Sequence, residues 1–291
     1  MELSVGELAQ VLGQSQPRVS RHLKILADAG VLERRKEGSW VFLTLGDPDR
    51  LEALFALVDE WADGSTRALF AADAARTEAI RVERTEAANR YFTGHAAIWD
   101  KIRSLHVAES EVERAIDRAL GTTALGRLVD IGTGTGRMIE LFGPRASQAI
   151  GIDRSSEMLR LARVKLEAAG IQSSLRQGDM YALPLTDGSA DHVIIHQVLH
   201  YAHSPAAAIA EAARVLAPGG TLLIVDFAAH EREELRASDA HIRLGFEDSV
   251  MAGWFEAAGL DVDHVEHLEG GELTVTLWRG AKHDARQRRA A

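Results

Sequence analysis

Apolar positions in the first 45 residues follow two helical stretches and then two short alternating ones. Over 4–13, Val5, Leu8, Ala9 and Leu12 share one helical face, with Ser4 placed to cap the start and Gly13 to end it. A second helix opens at Ser15, accepts Pro17 in its first turn, buries Val19, Leu23 and Leu26 at i, i+4 and i+7, and stops at Gly30. Residues 31–36 and 39–45 read as strands joined at Glu37-Gly38. Asp47-Pro48 begins a third helix carrying the stripe Leu51, Leu54, Phe55, Val58 and Trp61. That stripe packs either on its own winged unit or on a second copy. Residues 65–90, rich in Ala, Arg and Glu with sparse apolar positions, predict a long solvated helical linker. Tyr91-Phe92 and Trp99-Asp100-Lys101-Ile102 mark further helices, whose aromatics serve as core or as a ligand lid.

From residue 126 the pattern changes to alternating strands and helices. Strands are expected at 127–131, 148–152, 172–177, 191–196 and 220–227, and helices at 136–142, 155–169, 205–217 and near 248–258. Pro218-Gly219-Gly220 should break the chain before the fifth strand. Residues 260–267 and 272–279, separated by Gly270-Gly271, form a hairpin. Alternation predicts a parallel sheet, and the hairpin adds one antiparallel strand. The expected divisions are a winged unit at 1–46, a helical dimerisation or linker segment at 47–90, an α/β domain at 91–280 and a polar tail at 281–291.

A chain of 291 residues is long enough for about two domains. With 46% apolar and 26% charged residues it reads as an ordinary soluble protein without a membrane span or a signal-peptide layout, and so as cytoplasmic. The absence of cysteine excludes disulfides, zinc-thiolate sites and thiol nucleophiles. The net charge of −10 argues against nucleic-acid binding by the whole surface. Residues 14–40, however, hold six basic side chains against three acidic ones.

The chemistry concentrates in Asp130-Ile131-Gly132-Thr133-Gly134-Thr135-Gly136, where an apolar strand runs into a loop with glycine at every second position. These glycines let the backbone turn sharply and approach a ligand. The next strand ends in Asp153, about 20 residues on, placed to accept hydrogen bonds from ribose hydroxyls. A dinucleotide fingerprint fails, because Arg137 or Ile139 stands where the third glycine belongs. The loop, Gly151-Ile152-Asp153-Arg154-Ser155-Ser156-Glu157-Met158-Leu159, Gln177-Gly178-Asp179-Met180 and Val215-Leu216-Ala217-Pro218-Gly219-Gly220 together resemble class I S-adenosylmethionine (SAM) methyltransferases over about residues 90–280. The resemblance implies a Rossmann-like α/β fold with a seven-stranded sheet. It also implies SAM contacts at Asp130, Gly132, Thr133, Gly134, Gly136, Asp153, Arg154, Met158, Asp179, Met180 and His196.

Helix, turn, helix and wing leave Gln16, Arg18, Ser20, Arg21 and Lys24 outward on the second helix and Arg34, Arg35 and Lys36 at the wing tip. This layout puts the second helix in a major groove and the wing on phosphate; His22 reads as scaffold. Residues 2–45 resemble ArsR-type bacterial repressors. Ser4 and Gly6 stand where metal-sensing members carry cysteines, so thiolate sensing is excluded. The family's leading helices do not precede this segment, which implies a shortened start or a dimer built otherwise. The resemblance implies double-stranded DNA and a second copy of the chain as partners. A winged helix serving only as dimerisation and substrate lid remains the alternative.

The fourth strand ends in His196-Gln197-Val198-Leu199-His200-Tyr201-Ala202-His203, where this fold meets substrate. The Asp/Asn-Pro-Pro-Tyr/Phe stretch of amino-methylating DNA enzymes is absent, and the segment resembles ubiquinone and menaquinone C-methyltransferases. His196 and His200 are the candidate bases, with Asp226 and His230 weaker candidates at the same sheet edge. Three histidines at i, i+4 and i+7 also suit a metal or a structural role, and no metal is expected. The implied activity is methyl transfer to carbon or oxygen of a small molecule; the alternative is SAM sensing without turnover.

Overall fold

The computed structural model describes residues 3–37, 40–46, 48–95, 108–269 and 271–283. The chain divides into two compact units, Met1–Ala88 with Glu231–Glu233 and Asn89–His230 with Glu234–Ala291.

In the first unit a two-residue strand β1 (Leu3–Ser4), which periodicity does not reveal, leads into α1 (Val5–Leu12). Ser4 Oγ accepts from the Glu7 amide at 3.3 Å and the Ser4 amide donates back to Glu7 Oε2 at 2.8 Å, a reciprocal cap that fixes where α1 starts. α2 (Gln16–Asp28) follows, then β2 (Leu32–Glu37) and β3 (Trp40–Leu45), in an antiparallel sheet of order β1-β3-β2. Val5, Ala9, Val19, Leu23 and Leu43 make its core. Leu12 and Leu26, expected in that core, are 38% and 40% exposed, and Val11 is buried instead of Leu12. Two short helices on a narrow sheet enclose too little volume to cover the last turn of either helix.

α3 (Pro48–Trp61) carries its stripe as expected, but only Leu51 is buried. Leu54, Phe55, Leu57 and Val58 are exposed and Trp61 is 79% exposed, so beyond Leu51 this face is left uncovered by the described residues. Asp63 then accepts from the Thr66 amide at 2.7 Å and the Ser65 hydroxyl at 2.8 Å, which hold its pKa down to about 2. α4 (Gly64–His95) is one continuous helix of 32 residues that takes in Tyr91-Phe92, where separate elements were expected. Arg76 on α4 donates to the Val11 carbonyl. Trp99 to Ile102 lie outside the described residues.

The second unit opens with α5 (Glu109–Leu120), whose apolar face buries Val112, Ala115, Ile116 and Ala119. Then come β4 (Gly126–Ile131), α6 (Arg137–Phe142), β5 (Ala146–Asp153), α7 (Ser156–Ala168) and β6 (Ser174–Gln177). β7 (Ala190–His196), α8 (Pro205–Val215), β8 (Leu216–Phe227), a short α9 (Glu234–Ser238) without a clear sequence signal, α10 (Asp248–Ala257), β9 (Leu260–Leu268) and β10 (Val275–Lys282) complete it. The seven strands lie in the order β6-β5-β4-β7-β8-β10-β9, parallel from β6 to β8, with β10 antiparallel to both neighbours. Strands buried on both faces are continuous runs such as Val193-Ile194-Ile195 and Leu222-Leu223-Ile224-Val225.

Among the strands, β8 and β10 differ most from expectation. β8 starts at Leu216, so Pro218-Gly219-Gly220 lies inside the strand; the register slips between Ala190 opposite Leu216 and His192 opposite Thr221. A proline and two glycines are tolerated at such a bulge, where a ladder bond is already missing. β10 runs on to Lys282, whose ammonium donates to the carbonyls of Ala213 and Leu216 at 2.6 and 2.8 Å, so the tail begins later than 281.

Candidate functional site

β4, β5, β7 and β8 end at one edge of the sheet, and the loops leaving them build the site. The chain turns after Ile131 because Gly132, Gly134 and Gly136 take φ of 73°, 52° and 82°, values that side chains with a Cβ rarely adopt. The amides of Gly132 and Thr133 donate to the Ile152 carbonyl at 2.7 and 3.0 Å, which seats the loop on the end of β5. The Thr133 hydroxyl donates to Asp130 Oδ2 at 2.6 Å, both groups being buried, so in this structure Asp130 acts on the loop from beneath.

Asp153, at the end of β5, is half-buried. Its Oδ2 accepts from the Gly134 amide and its Oδ1 from the Ser155 amide, each at 2.8 Å. Burial raises its pKa above the usual carboxylate value, against the pull of the amides of Ser155, Gly134 and Arg154. Each oxygen keeps a lone pair, which fits a carboxylate that also accepts from ribose hydroxyls. Ser155 caps α7 by accepting from the Met158 amide at 3.3 Å, while the Met158 side chain is buried in the core. Asp179 accepts from the Tyr181 amide at 3.0 Å and lies 4.0 Å from the Arg154 guanidinium. Met180 packs half-buried beside them. Glycine loop, Asp153 and the Asp179 turn thus offer backbone amides and carboxylates in the sequence an adenosine-bearing cofactor needs. The residues fit SAM.

The acceptor side is built differently from what the histidine spacing suggests. His196 ends β7 and is half-buried; Gln197 follows at φ 49°, its amide donating to the Val225 carbonyl at 2.7 Å. This reversal, not a helix, carries the chain to a 3₁₀ turn over Leu199–Tyr201, so the three histidines do not share a helical face. Val198 lies against the glycine loop: a Cβ built on Gly132 would stand 2.7 Å from Val198 Cγ2.

His200 is 2% exposed, and its Nδ1 sits 2.7 Å from Asp226 Oδ1 at the end of β8. Asp226 also accepts from the amides of His200 and Phe227 at 3.2 and 2.8 Å. Asp226, rated from the sequence as a weaker candidate in its own right, is the carboxylate partner that sequence reasoning did not assign to His200.

A segment without a sequence motif closes this side. The amides of Ile242 and Arg243 donate to the His200 carbonyl at 3.1 and 2.9 Å. The fully buried Arg243 guanidinium donates to the carbonyls of Ala202 and His203 at 3.3 and 3.0 Å. His230 and Leu244 are tied by a 2.9 Å backbone bond, and Gly245, at φ 75°, passes so close to the Ala228 carbonyl that a Cβ has no room. The Tyr181 hydroxyl accepts from the Ser204 amide at 3.2 Å, and burial pushes its pKa up to about 12.

In the first unit, Gln16, Arg18, Arg21 and Lys24 are exposed along α2 and Ser20 is half-exposed, while Val19 and Leu23 face inward. His22, expected as scaffold, is exposed beside them. Arg34 is exposed on β2 opposite Leu43; the side chains of Arg35 and Lys36 lie outside the described residues.

Two family models match the chain: "Bacterial regulatory protein, arsR family" over residues 1–34 and "Methyltransferase domain" over 129–224. The ubiquinone/menaquinone biosynthesis C-methyltransferase UbiE of Syntrophotalea carbinolica is 37% identical over 195 residues, 57% of this chain and 80% of that protein. The demethylmenaquinone methyltransferase of Thermus thermophilus is 38% identical over 116 residues, 39% of this chain and 52% of that one. The chain spans about half the length of several curated relatives it matches, from 31% to 63%. Among solved structures, the YcgJ protein of Bacillus subtilis superposes with a TM-score of 0.53 at 20% identity, over 61% of this chain and 100% of that one, a likeness of fold.

Proposed function

Because this chain belongs to the class I SAM-dependent methyltransferases, with an ArsR-type segment ahead of that domain, we propose that it binds SAM and methylates a small molecule at carbon or oxygen. The observation that carries this reading is the Gly132 to Gly136 loop locked onto Asp153 by the 2.8 Å bond from the Gly134 amide. When bound, SAM supplies a methyl group on a sulfonium. The chain's own part is to hold the ribose through Asp153, the adenine beside Asp179 and Met180, and the acceptor beside His196 and His200. In-line displacement needs alignment and exclusion of water, and a base where the acceptor must lose a proton. Titration calorimetry with SAM and with its product S-adenosylhomocysteine (SAH) tests the reading; binding of NAD and not of SAM overturns it.

The proposed second function is binding of double-stranded DNA as a homodimer in the cytoplasm. Its support is the exposed row Gln16, Arg18, Arg21 and Lys24 on α2, with Arg34 on β2, in a chain of net charge −10. Outward cations on both helix and wing contribute nothing to a dimer contact, and they suit phosphate and base edges. The uncovered stripe on α3 supports the dimer. Recovery of a specific genomic fragment by the purified protein tests it, and its failure leaves the winged helix a dimerisation module.

A SAM or SAH sensor without turnover is the second reading, favoured by one observation: His200 is almost fully covered by the segment around Arg243. SAH-dependent release of DNA without methyl transfer to any acceptor would establish it.

A further inference from the structure

We propose that Tyr181 is a positioning residue that ties the adenine end of the cofactor site to the acceptor side, so that cofactor binding tightens the turn at 202–204 and the segment fastened to it. The role rests on the SAM reading above and adds to it a link between the two halves of the site.

Tyr181 lies in the loop after β6. The Gly178 amide donates to the Asp153 carbonyl at 3.0 Å, which seats this loop on the end of β5. Asp179 then accepts the Tyr181 amide on Oδ1 at 3.0 Å and the Ala182 amide on its carbonyl at 3.1 Å. A ligand that orders the Asp179 carboxylate therefore also orders the Tyr181 backbone. The half-buried Tyr181 ring packs on the core and lies 4.3 Å from the His203 ring. Its hydroxyl oxygen accepts from the Ser204 amide at 3.2 Å, and the His203 amide faces the same oxygen. With a pKa of about 12 the phenol stays neutral near pH 7.

The turn that Tyr181 holds by its amides is held by its carbonyls from Arg243. The peptide between His203 and Ser204 donates its N–H to Tyr181 and accepts the Arg243 guanidinium on its C=O at 3.0 Å. The preceding peptide repeats the pattern, with the His203 amide facing Tyr181 and the Ala202 carbonyl accepting Arg243 Nε at 3.3 Å. A peptide group is planar, so rotating either one loses both of its contacts together. Bonded at both ends, each peptide also polarises and strengthens its two partners. The turn thus has two arrangements, one fastened on both sides and one released. Release frees Arg243, and with it the segment whose Ile242 and Arg243 amides donate to the His200 carbonyl and whose His241 ring lies 4.2 Å from that of His200. A cofactor that orders Asp179 favours the fastened arrangement.

Hydrogen exchange on the full chain, with and without saturating SAH, tests the link. Calorimetry with SAH comes first, and failure to bind strikes the SAM reading itself. In wild type, SAH should slow exchange of the Ser204, Ile242 and Arg243 amides by roughly 5- to 150-fold, the usual range of coupling between sites. The Val250 and Met251 amides in the first turn of α10, which accept no part in this chain of contacts, should slow less. Tyr181→Phe keeps the ring and removes the acceptor oxygen. Its Gly134 amide should still slow with SAH, while the extra slowing at Ile242 and Arg243 disappears. A purely structural tyrosine would instead speed exchange equally with and without SAH, and that result overturns the proposal. So does a Tyr181→Phe protein whose Ile242 and Arg243 amides still respond to SAH as in wild type. Should the variant not fold, wild type decides: Ser204, Ile242 and Arg243 must slow in parallel, and a Ser204 amide indifferent to SAH sinks the link.

Discussion

Gly151 and Thr133 meet where β5 passes under the cofactor loop: a Cβ at Gly151 would stand 2.8 Å from Thr133 Oγ1. The small residue in the middle of a strand is what lets Thr133 reach Asp130. Gly151→Ala should push Thr133 off Asp130 and destabilise the domain by about 1–3 kcal/mol, the usual cost of overpacking. Urea unfolding measures the stability, and SAM calorimetry should show the affinity falling with it; a variant as stable as wild type would mean that the loop shifts freely.

Asp153→Ala removes the acceptor of the Gly134 and Ser155 amides and should weaken SAM binding by about 1–3 kcal/mol. A pH series in calorimetry checks the same carboxylate. Its pKa is raised by burial, and the charged form is the one that accepts from ribose hydroxyls. SAM affinity should therefore be full at neutral pH and fall, as pH drops, at a value above the 3.8 of an ordinary aspartate. A pH profile identical in wild type and Asp153→Asn would remove Asp153 from the site.

On DNA, Arg21 and Arg34 should behave differently. Arg21→Ala on α2 should cost about 1–3 kcal/mol against the preferred sequence and relax discrimination at one base pair. Arg34→Ala should weaken all sequences alike and flatten the salt dependence by about one unit of slope. Equal effects of both variants on random DNA would reduce the surface to a phosphate patch.

Phe55→Glu introduces a charge into the uncovered α3 stripe. Phe55 is exposed in a single chain, so the variant should fold with unchanged helicity and lose self-association, read by light scattering after gel filtration. Dimers of wild-type size in the variant would assign the stripe another purpose.

Much of this architecture was legible because its signals are local. A glycine loop must leave its strand where φ turns positive, and Ser4 with Glu7 marks a helix start three residues apart. What escaped depends on register. His200 and Asp226 lie 26 residues apart and meet only because β7 and β8 run parallel with His196 opposite Val225. Arg243 and His241 sit in irregular chain, where no period advertises burial. The α3 stripe was readable as apolar, but its cover is not set by its own sequence. Leu26 obeyed its period, yet the core ended before reaching it.

β10 is the last strand of the sheet in chain order, yet it lies between β8 and β9 and pairs with both. As the polypeptide is synthesised, the run Leu222-Leu223-Ile224-Val225 therefore waits with one backbone edge unpaired until residues 275–282 have followed. Such an edge templates pairing with other chains. A message truncated after β9 would yield a product with most of its nucleotide-binding strands made and its sheet unfinished, a substrate for chaperones and proteases.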